Sequence, residues 1–377
     1  MKKLSFLLIT FLLTINLYAE RTGFGNLSKY VSIDLPEDIV LIDSTKTSWH
    51  LESTLLPVKA IISIYKNNKT CEQIMTETGE KLNVEAEQTL FDWNGIQNSL
   101  SIISGSIQGQ ASYGFGLCTK LSKDKRILLM LVWCPEEYKA ECFPYMASFM
   151  DSLYTDSGSY FECGAFTTFL YPKNDEDEPL ILNIAGKTIE TKLDTSDLEA
   201  AQNFIENEYK VLCLYRNHSE WKKAWQRYYR LIFRDSCGRL KNLAQDVCAA
   251  LEDSCADETD YAHKLLTWTQ GFEYSREKTP SDLECLPSVL INGGSDCDSR
   301  SLLLCTLLQL VNINSSMLVS AVHSHALTIL ESDHPGFSFN INGINFLPGE
   351  TTAKDLTWGK ISSEQANLED WVIVLLP

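Results

Sequence analysis

Cys297 lies in a stretch that can place a reactive thiol at the start of a helix. Two glycines and the pair Ser295-Asp296 precede it, and an apolar run from Leu302 to Leu310 follows. Glycine interrupts regular structure and serine or aspartate caps helices. The pattern therefore predicts a buried helix with Cys297 in or just before its first turn. The unpaired N–H groups and the positive dipole end there favour a thiolate, the form of cysteine that attacks carbonyl carbon. The same pattern is equally typical of a small buried residue that begins a core helix.

A histidine and a glutamate follow that cysteine in the order that thiol-based acyl transfer needs. His325 opens the strand-like segment H-A-L-T-I-L, after the strand-like run Met317–Val322. Glu350 follows a hairpin, Phe337–Phe346, whose Asn342-Gly343 tip is a strong two-residue turn signal. In such a set the imidazole takes the thiol proton and later protonates the leaving amine, while the carboxylate orients the ring. Backbone N–H groups at the helix start would stabilise the oxyanion.

Other residues compete for these roles. His323 has the same strand parity as His325, so the choice of His325 depends on the following Ala326 and on a turn near Ser324. Asp333 and Asp355 are alternative acids, and Glu350 is also typical of a solvated loop. A metal site built from the two histidines and a cysteine has no supporting spacing signature, so neither a metal nor a cofactor is expected.

Two aspartates flank the predicted nucleophile. Asp296 and Asp298 are expected to cap the helix with their side chains. Their negative charge opposes formation of the thiolate, so a histidine cation must offset this repulsion as well.

The stretch from Tyr261 to Pro377 resembles the core of the transglutaminase-like superfamily of papain-like cysteine enzymes. The family pattern is G-x-G-D-C followed by a helix, then H-A on a strand, then an acid and a threonine in D-x-T. The matching segments are Asn292–Leu310, His325-Ala326 and Pro348–Thr352, with Gln270–Tyr274 and Pro287–Leu290 upstream. The resemblance implies that Cys297 is the nucleophile, His325 the base and Glu350 the orienting acid. It also suggests, on no other ground, that Gln270 donates to the oxyanion.

Three positions depart from that pattern. Ser295 stands where a second glycine is usual, Leu327 replaces the aromatic residue after H-A, and a glutamate replaces the aspartate. The first two leave the activity and the substrate undecided, and the third keeps a carboxylate with a longer reach.

The sequence is compatible with two functions. One is a thiol enzyme that cleaves or transfers an amide bond in a peptide, a protein or a cell-wall peptide. The other is a degenerate domain that binds or scaffolds in the cell envelope.

The first residues are typical of a secretory signal peptide. Lys2 and Lys3 precede an apolar run, Leu4–Leu13, and a small residue, Ala19, precedes the predicted cleavage point. The run is too short to span a bilayer. The sequence therefore predicts an exported protein, periplasmic or secreted, without a membrane span.

The cysteine content fits an oxidising compartment. Twelve cysteines follow the predicted cleavage point, and such a compartment allows disulfides. Cys134 and Cys142 are close enough in sequence to close a short loop. Cys237, Cys248 and Cys255 share one helical stripe, which is more typical of core packing.

The chain is strongly acidic. Its 50 acidic and 32 basic residues give a formal net charge of −18 at pH 7. Nucleic acid and anionic membranes are therefore disfavoured as partners. One basic ridge breaks the trend, and its spacing is helical: Lys223, Arg227, Arg230 and Arg234. It is either a site for an anionic ligand or, as we favour, a set of cations paired internally with acidic neighbours.

From Glu20 to Thr155 the sequence shows short strand patterns with two helical patterns between them. Strands are expected at Tyr30–Leu35, Val58–Tyr65, Ser99–Ile107 and Ile127–Trp133, and helices at Thr70–Leu82 and about Pro144–Leu153. This is an α+β domain with a mostly antiparallel sheet. It is similar to the Mog1/PsbP-like family in three segments: Y-V-S-I-D-L-P, F-D-W-N-G at Phe91–Gly95, and D-S-L at Asp151–Leu153. The resemblance implies a binding or docking role.

The rest of the chain divides into a connecting region and a C-terminal domain. Residues 156–250 hold a strand-rich piece with a hairpin turn at Ala185–Lys187, then the helical patterns Ser196–Tyr215 and Ser219–Leu251. Residues 251–377 hold the helical pattern Ala262–Phe272 and the predicted site. The expected fold class is α+β: a signal peptide at 1–19, an antiparallel-sheet domain at 20–155, the connecting region, and a transglutaminase-like domain with a helix packed on an antiparallel sheet.

Overall fold

The computed structural model describes residues 27, 31–66, 69–121, 126–156, 158–173, 177–276 and 279–376. The predicted signal peptide lies outside these residues. The described chain is mixed α and β and forms two compact units. The N-terminal unit comprises Glu20–Pro172 and Asn207–Arg227, and the C-terminal unit comprises Lys173–Glu206 and Tyr228–Pro377. Within the described ranges, no helix combines the length and apolarity needed to cross a membrane.

The N-terminal unit is built on one large antiparallel sheet. Its strands are β1 (Ser32–Ile33), β2 (Ile39–Ser44), β3 (Ser48–Ser53), β4 (Lys59–Tyr65), β5 (Val84–Trp93), β6 (Ile96–Ile107), β7 (Gln110–Lys120), β8 (Ile127–Pro135) and β9 (Leu153–Tyr154). Its helices are α1 (Cys71–Leu82), α2 (Lys139–Asp151) and α3 (Ala165–Leu170). Seven strands pair in the order β2-β3-β4-β8-β7-β6-β5, and β1 pairs with β9. The predicted antiparallel sheet is confirmed.

Strand β8 shows why this sheet needs helices on both faces. Its side chains alternate between two apolar clusters: Leu128 and Met130 lie in the cluster that contains α2, and Leu129 and Leu131 in the cluster that contains α1. A strand with one solvated face would alternate apolar and polar residues, whereas β8 is apolar throughout because both faces are covered.

Helix α1 begins at the predicted cap. The Thr70 hydroxyl accepts from the Gln73 N–H at 3.2 Å, and the Gln73 side chain accepts from the Thr70 N–H at 2.9 Å. This reciprocal pair satisfies two N–H groups that the first turn leaves without helical partners. The helix ends at Asn83, whose φ of 54° is the left-handed conformation that stops helices.

The cation at the centre of the basic ridge forms an ion pair within the protein. In the N-terminal unit, Arg227 is buried; its Nη1 lies 3.2 Å from Glu208 Oε2 and its Nε donates to the Asp34 carbonyl at 2.7 Å. Lys223 pairs with Glu220 at 3.2 Å. The interpretation as internal pairing is confirmed for these two residues.

The C-terminal unit combines helices with a second antiparallel sheet. Its helices are α4 (Ser196–Cys213) and α5 (Trp221–Leu251), both shared with the N-terminal unit, then α6 (Glu258–Gln270), α7 (Leu286–Asn292) and α8 (Cys297–Gln309). Its strands are β10 (Asp177–Ile184), β11 (Lys187–Asp194), β12 (Glu273–Tyr274), β13 (Gly294–Ser295), β14 (Ser315–Ser320), β15 (His325–Glu331), β16 (Phe339–Ile341), β17 (Ile344–Gly349) and β18 (Val372–Val374). Five of these strands pair in the order β16-β17-β15-β14-β18.

The hairpin signals of this unit are confirmed. β10 and β11 pair across Ala185-Gly186, and β16 and β17 pair across Asn342-Gly343. All four turn residues have φ between 50° and 85°, which explains the choice of glycine and asparagine there. The strand expected at Met317–Val322 runs instead from Ser315 to Ser320. It stops because the Ser320 hydroxyl accepts from the His323 N–H at 3.1 Å and so stabilises a turn.

Helix α8 is the centre of the C-terminal unit. Every residue from Ser299 to Gln309 is buried, so neighbouring elements cover the helix on all sides. It packs on β14 and β15: the Thr328 hydroxyl donates to the Ser301 carbonyl at 3.1 Å, and the Cys305 thiol donates to the Ser316 carbonyl at 3.1 Å. This packing fixes the first turn of α8 against the beginning of β15.

Candidate active site

Cys297 is the first residue of helix α8, as the sequence predicts. The N-cap is Asp296, whose carboxylate accepts from the Ser299 N–H at 3.1 Å. The preceding segment is held by β13, which pairs in parallel with β12 so that Ser295 lies opposite Tyr274. The thiol is thus carried on a rigid turn between a short strand pair and a buried helix.

His325 and Glu350 meet at the edge of the sheet next to that turn. His325 is the first residue of β15, and Glu350 directly follows β17, the neighbouring strand. His325 Nε2 lies 2.7 Å from Glu350 Oε2. Glu350 Oε1 accepts from the Thr352 N–H at 2.8 Å and from the Thr352 hydroxyl at 2.6 Å. Both carboxylate oxygens are therefore occupied, and the imidazole is held through one nitrogen.

The Glu350 carboxylate is stabilised in its charged form. Glu350 is only 6% exposed. Burial raises its pKa, but the bonds from His325 and Thr352 outweigh burial, and the net pKa lies below the ordinary value. Glu350 is thus an anion at neutral pH, and the pairing leaves Nδ1 as the imidazole nitrogen that can accept a proton.

Cys297 lies beside the His325-Ala326 peptide. The N–H of Ala326 acts as a hydrogen-bond donor to the Cys297 sulfur. The side chain is 2% exposed, and its thiol donates to Asp298 Oδ1 at 3.2 Å. In the state described, the thiol therefore bonds to a carboxylate on its own helix.

Asp298 does not cap α8 as expected. Its Oδ2 accepts from the Tyr229 hydroxyl at 2.6 Å, so the carboxylate bridges a buried tyrosine on α5 and the thiol of Cys297. Burial, followed by the charge of Asp298, raises the pKa of Tyr229. The tyrosine consequently remains a hydrogen-bond donor. Capping is done by Asp296 alone because only its side chain precedes the first turn.

The electrostatics of Cys297 oppose the thiolate that its helix position favours. Burial raises the pKa of the thiol most, and the charges of Asp298 and Asp296 raise it further. The Ala326 N–H acts in the other direction but is outweighed. Burial also raises the pKa of Asp296 to about 6, with a further contribution from Asp298. The resting nucleophile position is therefore a neutral thiol.

Gln270 uses both of its side-chain N–H groups within the protein. Its side-chain amide donates to the Glu350 carbonyl and to the Leu356 carbonyl, each at 2.9 Å. Both N–H groups are thereby occupied, so the oxyanion role expected of Gln270 is not supported. The amide instead fixes the backbone of the residue that holds His325.

Arg300 is a site component that sequence reasoning missed. It is almost fully buried, and its Nε donates to the Ser295 carbonyl at 2.9 Å. Its Nη1 donates to the Thr351 carbonyl at 3.2 Å and its Nη2 to the Phe272 carbonyl at 3.0 Å. One guanidinium thus joins the segments before Cys297, after Glu350 and after α6. An arginine directly before an apolar helical run was the available signal.

The competing candidates lie elsewhere. His323 is in the turn before β15, with its Nε2 3.8 Å from Asp370 and its ring 5.2 Å from that of Trp371. His334 faces Asp257 at 3.4 Å and is exposed. Among the residues that the structure describes, no group of three or more His, Cys, Asp or Glu side chains is arranged to hold a metal ion.

The likeness to known proteins is limited to solved structures. No known protein family matches the sequence, and no curated protein does. Solved structures with a similar part include the cyanobacterial PsbP (CyanoP) of Synechocystis sp. PCC 6803, at 9% identity over 35% of this chain and 91% of that one, with a TM-score of 0.29.

Two further structures are similar over a comparable share of the chain. The Ran-binding protein Mog1p of Saccharomyces cerevisiae has 8% identity over 34% of this chain and 92% of that one, with a TM-score of 0.27. LpqN of Mycobacterium tuberculosis, a protein involved in cell envelope biogenesis, has 10% identity over 33% and 81%, with a TM-score of 0.26. With TM-scores below 0.5, the Mog1/PsbP-like resemblance is weak and carries no argument about function.

Proposed function

We propose that the protein is a thiol-dependent amide-bond enzyme, a cysteine peptidase or amidase or an acyl transferase, with a transglutaminase-like C-terminal unit. The observation that carries the proposal is the buried His325–Glu350 pair, 2.7 Å apart, beside a cysteine at a helix N-terminus. A histidine held through Nε2 by an ionised carboxylate presents its other nitrogen as a base, which is the arrangement that acyl transfer through a thiol requires.

The reaction begins with a neutral thiol. His325 Nδ1 removes the proton from the Cys297 sulfur as the sulfur attacks the substrate carbonyl carbon, while Nε2–H remains bonded to Glu350. The tetrahedral oxyanion is stabilised by N–H groups of the first turn of α8. The Ser299 N–H is used by Asp296, so those of Cys297 and Asp298 are the candidates. The imidazolium then protonates the leaving amine, and water or a second amine resolves the acyl-enzyme.

A peptide-like substrate fits the surface beside the site. Tyr274, which lies opposite Ser295 in the β12–β13 pair, is 55% exposed. Val322, in the turn directly before β15, is 70% exposed. Apolar side chains on the two segments that lead to Cys297 and His325 offer contact to an extended chain. A peptide, a protein or a cell-wall peptide is therefore the proposed substrate class.

The direct test is turnover by the full chain. Synthetic cell-wall peptides and an unrelated peptide amide are incubated with the protein, with and without a primary amine, and the products are identified by mass spectrometry. We expect cleavage or amine transfer that Cys297→Ala reduces by at least about 10³-fold. Cys213→Ala, at an exposed cysteine, is the matched control and keeps full activity. Equal product with Cys297→Ala would rule out a covalent role for that sulfur.

A second variant separates orientation from nucleophilicity. Glu350→Gln keeps the shape of the side chain but removes the charge that holds the imidazole, so we expect kcat to fall by about 10²–10⁴-fold. Glu350→Asp should recover part of the loss. If Glu350→Gln turns over substrate at the wild-type rate, the glutamate is only a structural partner of Thr352.

The alternative is a binding or scaffolding protein of the cell envelope. It is favoured by one observation: Cys297 is a buried thiol bonded to Asp298, with its pKa raised. Labelling by iodoacetamide discriminates the two functions. In an enzyme, a slowly processed peptide amide protects Cys297 by forming an acyl-enzyme that mass spectrometry detects. A binding module shows no such adduct with any peptide of the panel, although the peptide binds.

A further inference from the structure

A polar cavity lies between helix α1 and the start of strand β5 in the N-terminal unit. Its volume is about 790 Å³, within the range of about 300–1,000 Å³ that is typical of small-molecule sites. Its polar lining comes from α1, the residue that ends α1, and strands β5 and β6: Thr76, Glu80, Asn83, Glu85, Gln88 and Ser104.

Two glycines allow the elements around this cavity to approach each other. A Cβ on Gly79, in α1, would lie 3.3 Å from the Val84 carbonyl oxygen, and one on Gly105, in β6, would lie 3.0 Å from the Val84 Cα. Gly105 also has a φ of 147°, which favours glycine. The cavity wall is therefore fixed by the backbone of α1, β5 and β6 and does not depend on side-chain positions alone.

The charged residues of the lining are acidic. Glu80 and Glu85 are both exposed, and none of the described lining residues is a lysine or an arginine. The cavity also lies at the C-terminal end of α1, where the carbonyl groups form the negative end of the helix dipole. Lys81, the basic residue of this last turn, directly follows Glu80 and so projects from another side of the helix. The cavity therefore favours a cation.

A buried hydroxyl without a partner lies on the same side of the sheet. Ser101, on β6, is directly opposite Gln88, so the two side chains project to the same face. Ser101 is fully buried, and its hydroxyl has no hydrogen-bond partner among the described residues. Gln88 is already occupied, because its Nε2 donates to the Thr76 hydroxyl at 3.0 Å and its Oε1 accepts from the Ser99 hydroxyl at 3.3 Å. A ligand N–H group that enters beside Gln88 would supply the partner that Ser101 lacks.

We propose that this cavity binds a small organic diamine or polyamine, with its ammonium groups near Glu80 and Glu85 and an N–H group donated to Ser101. A single metal ion is a poor match, since among the described residues no group of three or more His, Cys, Asp or Glu is arranged to hold one. An apolar ligand is a poor match because the lining is mostly polar. The proposal does not depend on the function of the Cys297 site.

The test is a calorimetric titration of the full chain with 1,5-diaminopentane at about 20 mM salt. We expect saturable binding at one site, with a Kd on the order of 1 mM or below, that weakens as salt rises. Pentane-1,5-diol has the same length without charge and should not bind. Acetyl-lysine amide has one ammonium group and should bind more weakly than the diamine.

Two results of the titration would overturn the proposal. One is the absence of saturable binding by the diamine. The other is tighter binding of acetyl-lysine amide than of the diamine, which would assign the cavity to a lysine side chain of a peptide.

Variants locate the site. Glu80→Gln combined with Glu85→Gln removes both charges and keeps the side-chain size, so we expect binding of 1,5-diaminopentane to weaken by about tenfold. Ser104→Trp places a large ring at an exposed position of the lining and should abolish binding.

The matched control is Glu72→Gln combined with Glu87→Gln. Both are exposed glutamates, one on α1 and one on β5, and their replacement changes the net charge by the same amount. This control should leave binding unchanged. Equal weakening by the two double variants would mean that the diamine responds only to the net charge of −18, and the proposed site would be wrong.

Discussion

At the scale of single residues, the site is a balance between a helix start that favours a thiolate and aspartates that oppose it. Cys297 begins α8 and receives the Ala326 N–H, yet burial and the charge of Asp298 raise its pKa. The balance favours the neutral thiol at rest. In the proposed reaction, proton transfer to His325 therefore accompanies attack on the substrate and does not precede it.

Replacing Asp298 tests that balance. Asp298→Asn removes the charge and keeps the side-chain shape, so the pKa of Cys297 should fall and its alkylation by iodoacetamide at pH 7.5 should rise by about tenfold. A thiol with a raised pKa is labelled faster as pH rises, so the wild-type rate should still be climbing between pH 7 and pH 9. The rate is measured by mass spectrometry of the Cys297 peptide.

The matched control is Asp253→Asn, an exposed aspartate of the same unit. It should leave the labelling rate unchanged. If Asp298→Asn also leaves it unchanged, burial alone sets the state of the thiol, and Asp298 serves only as the partner of Tyr229.

At the scale of elements, the site depends on how α8 is joined to its neighbours. The Arg300 guanidinium donates to the carbonyls of Ser295, Phe272 and Thr351, which lie on three separate segments. A buried cation surrounded by carbonyl acceptors can hold them because each bond satisfies a backbone group that packing has removed from water.

Loss of this cation should destabilise the C-terminal unit. Arg300→Met retains much of the apolar volume but removes the arginine donor from the Thr351 and Phe272 carbonyls and one of two donors from the Ser295 carbonyl. We therefore expect the free energy of unfolding to fall by about 3–5 kcal/mol. Chemical denaturation followed by tryptophan fluorescence measures the change.

The comparison variant is Arg276→Met. Arg276 is largely exposed, and its ion pair with Asp282, at 3.2 Å, is on the surface. Surface pairs contribute about 0–1 kcal/mol, so little change is expected. Equal effects of the two variants would show that the internal bonds of Arg300 add nothing beyond its packing.

At the scale of the whole molecule, the net charge of −18 disfavours binding to polyanions. Arg227, the cation at the centre of the basic ridge, is buried against Glu208, so it is not presented to a polyanion. We therefore predict no binding to duplex DNA at about 50 mM salt, measured by the fluorescence anisotropy of a labelled duplex. A basic protein of similar size is the positive control. Saturable binding that weakens with salt would contradict the prediction.

Local pattern alone was enough for several elements and for the order of the site. The Thr70 cap, the Asn342-Gly343 turn and the start of α8 depend on interactions between residues a few positions apart, and all three are confirmed. Strands β2, β3, β5 and β7 of the large sheet were not predicted. In β5 the charged and polar residues Glu85, Glu87 and Gln88 interrupt the apolar ones, and in β7 Gly114 and Gly116 do so. Neither strand therefore has a continuous apolar run.

The sequence by itself determined the candidate triad, because residue type and order along the chain are the whole content of that prediction. Only the tertiary structure decided which histidine nitrogen meets Glu350, that Gln270 fixes a backbone carbonyl, and that Arg300 joins three loops. It also decided the state of the thiol, since Tyr229 lies 69 positions before Asp298 in sequence and yet bonds to it. Long-range packing chooses such partners, and no local spacing records them.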